Sequence, residues 1–130
     1  PLPPDRPVTH DPARVRTLWF REIDDAALAA LHARLVPESP GVVNDYSGGR
    51  VTVERGRITC PALVIGAERD ATPVHPATEI AAFYGCPCLI VPGAAHDLMM
   101  ESAALPVAIR LNQWLLAAVG GPVLLPSPRP

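Results

Sequence analysis

The stretch Ile58-Thr59-Cys60-Pro61-Ala62-Leu63-Val64-Ile65-Gly66-Ala67 decides the fold of this 130-residue chain. It is a continuous apolar run bounded by turn residues, too short and too β-branched for a helix. Such runs are strands buried on both faces, as in a parallel sheet. Glu68-Arg69-Asp70 follows at its carboxyl end. Further on, Pro76 to Tyr84 holds Ile80, Ala81, Phe83 and Tyr84 and reads as a short helix stopped by Gly85. Cys88-Leu89-Ile90-Val91 repeats the buried-strand signature and ends at Pro92-Gly93. Leu105 to Val119 then sets Leu105, Ala108, Ile109, Leu111, Leu115 and Leu116 on overlapping helical faces and stops at Gly120-Gly121. Strand, helix, strand, helix is the order of a parallel α/β unit with right-handed crossovers.

The residues before this unit read differently. The first ten form an irregular lead stiffened by proline. Asp11-Pro12 pairs a capping side chain with proline at the first helical position and opens a short helix through Val15, Leu18 and Trp19. Asp24-Asp25 caps a second helix, in which Ala27, Leu28, Leu31 and Leu35 make an apolar stripe that Pro37 ends. Ser39-Pro40 starts a third, ending at Ser47-Gly48-Gly49. Arg50 to Arg57 alternates Val51 and Val53 with polar residues and is either a weak strand or an extended connection. The chain thus divides into a proline-rich lead and helical connecting segment (1–57), an α/β segment (58–121) and a loose tail (122–130).

Composition narrows the function. Hydrophobic residues are 48% and charged residues 18%, which is globular and not disordered. The 17 prolines gather at the ends and at joints between apolar runs, where they punctuate a fold. Eleven basic and 13 acidic residues leave a net charge of −2 with no basic cluster, so nucleic acid is disfavoured as a partner. Every basic residue is arginine, which excludes a lysine nucleophile. The longest apolar stretch, Trp114 to Leu125, is short and broken by Gly120, Gly121 and Pro122, so no membrane span is expected. Cys60, Cys86 and Cys88 are too few and too closely spaced for a disulfide framework or a zinc knuckle. They read as buried free thiols, which suits a reducing, cytoplasmic setting.

The chemistry gathers beyond the strand ends, where open parallel sheets place their functional groups. If the two strands are neighbours, Asp70 and His96 emerge on one edge. A carboxylate there can accept a hydrogen bond from one imidazole nitrogen, leaving the other free as a general base. Taken singly, such an aspartate is more often a helix cap, and a lone histidine more often a satisfied surface or core residue. Their pairing changes those odds. His75 and Asp97 lie nearby but lack metal-ligand spacing, and Met99-Met100 reads as core or as the lining of an apolar pocket. No Gly-rich phosphate loop is present, so a nucleotide-binding α/β module lacks its fingerprint.

Cys-Pro-Ala-Leu-Val-Ile-Gly-Ala-Glu-Arg-Asp (60–70) followed by Pro-Gly-Ala-Ala-His-Asp-Leu-Met-Met-Glu (92–101) resembles the C-terminal third of an α/β-hydrolase. The resemblance implies a partial α/β-hydrolase fold, the last strands of a parallel sheet with flanking helices, preceded by a helical cap-like segment. It also maps the acid and histidine of a catalytic triad onto Asp70 and His96, for hydrolysis of a small apolar ester or related bond without a cofactor. The departure is the nucleophile. The family carries it in a Gly-x-Ser-x-Gly elbow, and Ser39, Ser47, Ser102 and Ser127 all lack that setting. The nucleophile, serine or aspartate, is therefore expected on a complementary amino-terminal half, or the chain to dimerise over its open sheet. The other reading is a non-catalytic remnant or interaction module of the same fold.

Overall fold

Two parallel strands, β1 (Val64–Ala67) and β2 (Cys88–Val91), pair in the register Val64 to Cys88 through Ala67 to Val91. Helix α4 (Ala77–Tyr84) connects them and α5 (Ala104–Val119) follows. In this computed structural model, which describes residues 1–3, 5–72 and 75–120, they are preceded by α1 (Pro12–Trp19), α2 (Asp25–His32) and α3 (Pro40–Ser47). The described residues thus form a mixed α/β structure of five α-helices and one two-stranded parallel sheet. The tail expected over 122–130 lies outside them. No helix among them is long and apolar enough to cross a membrane.

Local chemistry accounts for most boundaries. The Asp11 carboxylate accepts the Arg14 N–H at 2.9 Å, and that of Asp24 accepts the Ala27 N–H at 2.7 Å, so both helices begin at a capping aspartate. Helix α4 ends at Gly85, whose φ of +67° lets its N–H turn back onto the Ala81 and Ala82 carbonyls. The segment after α3 is an extended connection with one 3₁₀ turn over Arg55–Arg57. The lead is irregular but pinned. Val8 and Glu38 exchange two backbone hydrogen bonds of 3.0 and 2.9 Å, and the Asn44 amide brackets Leu2 through its N–H and its C=O.

Side chains on a strand alternate between faces. Gly66 and its partner Ile90 face α4: a Cβ on Gly66 would lie 2.4 Å from the Cβ of Ala77 and 3.3 Å from Ile90 Cδ1. On the other face Ile65, Ala67 and Val91 meet Val107 of α5, with Ala94, Leu98 and Ala103. The sheet is thus sandwiched between α4 and α5. A second, separate cluster (Val15, Phe20 and Leu28, with Trp19, Ile23 and Leu31) joins α1 to α2.

Three sequence expectations are corrected. Neither strand is buried on both faces: β1 is half-buried throughout, and of β2 only Val91 is buried. With two strands, each has an unpaired edge, and short helices cover the faces only in part. The stripe of α5 that packs inward begins at Val107 and continues through Leu111, Trp114 and Ala118, whereas Leu105 and Ile109 are exposed. The cysteines are free, but Cys60 and Cys88 are exposed and Cys86 half-buried, because they flank the sheet's open end.

The Gly66 contact gives a first test. Gly66→Ala places a methyl group against α4 and is expected to destabilise the fold by about 1–3 kcal/mol through overpacking. Thermal melting checks this, and an unchanged melting temperature would mean that α4 does not approach β1 this closely.

Candidate functional site

The strands end at Ala67 and Val91, but the chains stay tied beyond them. The Glu68 N–H donates to the Val91 carbonyl (3.0 Å), and the Arg69 N–H to the Ala94 carbonyl (2.9 Å). In return the Gly93 N–H donates to the Glu68 carboxylate at 2.7 Å. Gly93 sits at φ +70°, in the left-handed region where glycine carries no Cβ penalty. Ala94 and Ala95 are buried, at 4% and 2% exposure, so small side chains let the second loop lie close against the core.

This stitching brings Asp70 and His96 together. His96 Nδ1 lies 2.9 Å from Asp70 Oδ2 and 2.8 Å from Thr72 Oγ1. The Thr72 N–H and hydroxyl both reach Asp70 Oδ1, each at 2.8 Å, which closes an Asx turn. An ionised carboxylate only accepts, so the Thr72 hydroxyl donates to Asp70 and turns a lone pair toward the imidazole. Nδ1 therefore faces two acceptors and carries the ring proton, and Nε2 keeps the lone pair. No hydrogen bond reaches Nε2 among the described residues. The His96 side chain is 43% exposed against 19% for Asp70, so the ring is the more accessible of the pair.

The neighbouring acids divide by environment. Burial raises the Asp70 pKa, but the hydrogen bond from His96, both bonds from Thr72 and the His96 charge outweigh it and hold the carboxyl below its ordinary value. Burial pushes Asp97 up. The His96 charge counters this in part, and the like charges of Glu101 and Asp70 reinforce it. Glu101 also feels burial, yet backbone N–H groups of Arg21, Glu22 and Ala95, with the Arg21 charge, bring it below its ordinary value. Three carboxyl groups thus share the edge that carries His96, two held below their ordinary value and one pushed above it.

Other named residues stand elsewhere. Ser47 is the exposed last residue of α3, with no hydrogen bond to His96 among the described residues. His75 Nδ1 lies 3.6 Å from Glu79 Oε2, one turn along the chain. Met99 and Met100 are exposed, at 60% and 50%, because their 3₁₀ turn sits on the surface. Met100 lines a cavity of about 300 Å³ with Trp19, Phe20, Leu31, Leu35 and Asp97, the residue after His96. Sequence reasoning missed Thr72, whose only signal was its place two residues after Asp70. It also missed Glu101, which carried none.

No protein-family model, curated protein or solved structure matches this chain. The chemistry of the site is therefore read from its geometry.

Thr72→Val removes one donor to Asp70 and one acceptor facing Nδ1. The Asp70 pKa is then expected to rise, which a ¹³C carboxyl titration by NMR measures; an unmoved pKa would show that Thr72 is only a neighbour. An acid whose pKa is lower folded than unfolded stabilises the fold above its unfolded value of 3.8. That stabilisation is lost as pH falls through the lower folded value, so acid unfolding of Thr72→Val should begin at higher pH than in the parent.

Proposed function

We propose that this chain supplies the acid and histidine of a hydrolytic triad, within a partial α/β-hydrolase fold acting on a small apolar ester or related bond. The observation that carries the reading is an imidazole held at Nδ1 by two acceptors, on a side chain 43% exposed and with no hydrogen bond to Nε2 among the described residues. A general base needs this tautomer and this direction. Asp70 orients the ring and stabilises the imidazolium. His96 takes the proton from a nucleophile on a complementary segment and delivers it to the leaving group. It then removes a proton from water to release the acyl group. The apolar cavity beside Asp97 suits a small apolar substituent.

The open sheet supports the complementary segment. A two-stranded sheet is marginal alone, and the exposed faces of Ile90 and Phe83 are apolar surface a further layer would cover. The absence of a nucleophile elbow favours the competing reading, a non-catalytic interaction module, and one experiment separates the two. The chain is co-produced with the segments encoded on either side of it, and ester turnover is followed with p-nitrophenyl acetate. His96→Ala is expected to abolish turnover and Asp70→Asn to lower it by roughly 10⁴. Undiminished turnover in His96→Ala sinks the mechanism, and a complex without turnover leaves the interaction module.

A further inference from the structure

Two apolar clusters, one under α1 and α2 and one around the sheet and α5, share no buried residue. What joins them beside the site is polar. One oxygen of Glu101 accepts the backbone N–H groups of Arg21 and of Glu22, the latter at 3.0 Å. Its other oxygen accepts the Ala95 N–H at 3.2 Å, one residue before His96. The Glu22 carboxylate answers by accepting the Ser102 N–H at 3.3 Å, and the Asp97 N–H donates to the Trp19 carbonyl at 3.0 Å. The N–H groups of the residues on either side of His96 are thus held: that of Ala95 by Glu101, that of Asp97 by the carbonyl at the end of α1.

We propose that Glu101 is a positioning residue, which sets the backbone of the His96 loop and makes the imidazole's orientation depend on the docked turn between α1 and α2. The inference rests on the reading of Asp70 and His96 as a proton-transfer pair. Its physical basis is the donor count. Three N–H groups converge on two oxygens, so both oxygens must be acceptors, a demand only an ionised carboxylate meets. Glutamine has the same size but turns an NH₂ toward N–H donors on one side. It must abandon either Ala95 or the Arg21–Glu22 turn.

The test uses the chain as it is. In the parent, at a pH where the imidazole is neutral, ¹⁵N NMR should show His96 as a single Nδ1–H tautomer with a slowly exchanging ring proton. In Glu101→Gln that proton signal is expected to be lost and both tautomers to appear. Amide exchange at Ala95, Arg21 or Glu22 should quicken by roughly tenfold or more, the scale of losing a bond to a charged acceptor. Glu101→Asp keeps the charge on a shorter arm; it is expected to retain the Nδ1–H tautomer in part and serves if the glutamine variant unfolds. A parent-like His96 spectrum in both variants overturns the proposal. Asp70→Asn separates the two readings. If it too leaves the tautomer unchanged, the pairing of Asp70 with His96 fails; if it scrambles the tautomer while the Glu101 variants do not, only the role of Glu101 fails.

Discussion

Everything near the site depends on a backbone ladder that outlasts its strands. The four-residue pairing of β1 with β2 fixes which residues lie opposite, and Glu68 and Arg69 extend it by two bonds into the loops. Without those bonds Asp70 and His96 would sit on loops free to diverge. With them, two residues 26 apart in sequence meet at 2.9 Å. The Gly93 N–H and the Glu68 carboxylate close the same stitch from the side, so the loops behave as a continuation of the sheet.

On that foundation the site is built from layered constraints. The Asx turn spends Asp70 Oδ1 on Thr72 and leaves Oδ2 for the imidazole, so the carboxylate plane is set by its own backbone before His96 arrives. The histidine loop is small-residued and buried at Ala94 and Ala95, then opens to solvent at His96. Rigid behind and open in front is the arrangement that a proton-transferring ring requires.

The sequence made some of this readable and hid the rest, for physical reasons. Asp70 and His96 were legible because each follows an apolar run that has one structural use, and strand ends define an edge. Capping aspartates at 11 and 24 marked α1 and α2 because a carboxylate there has a specific N–H to accept. Burial was misjudged at the strands and at the cysteines, since apolar content states what a surface prefers and not whether a layer is present to cover it. The face of α5 was misplaced for a related cause: a helix apolar nearly all round has no period to read, and Val107 is selected by the cluster around Val91 and Ala94 across the gap. Glu101 was invisible, because its partners are main-chain groups, two of them 79 and 80 residues away.

That last feature carries an evolutionary consequence. The Glu101 grip on the turn between α1 and α2 recognises peptide N–H groups, which every residue but proline possesses. Most side chains on the two helices can drift without loosening the hold. The helical segment is therefore free to diversify its apolar lining while its anchorage stays constant. One acidic residue on the core makes the covering helices an exchangeable module, with proline at 21 or 22 the substitution it cannot absorb.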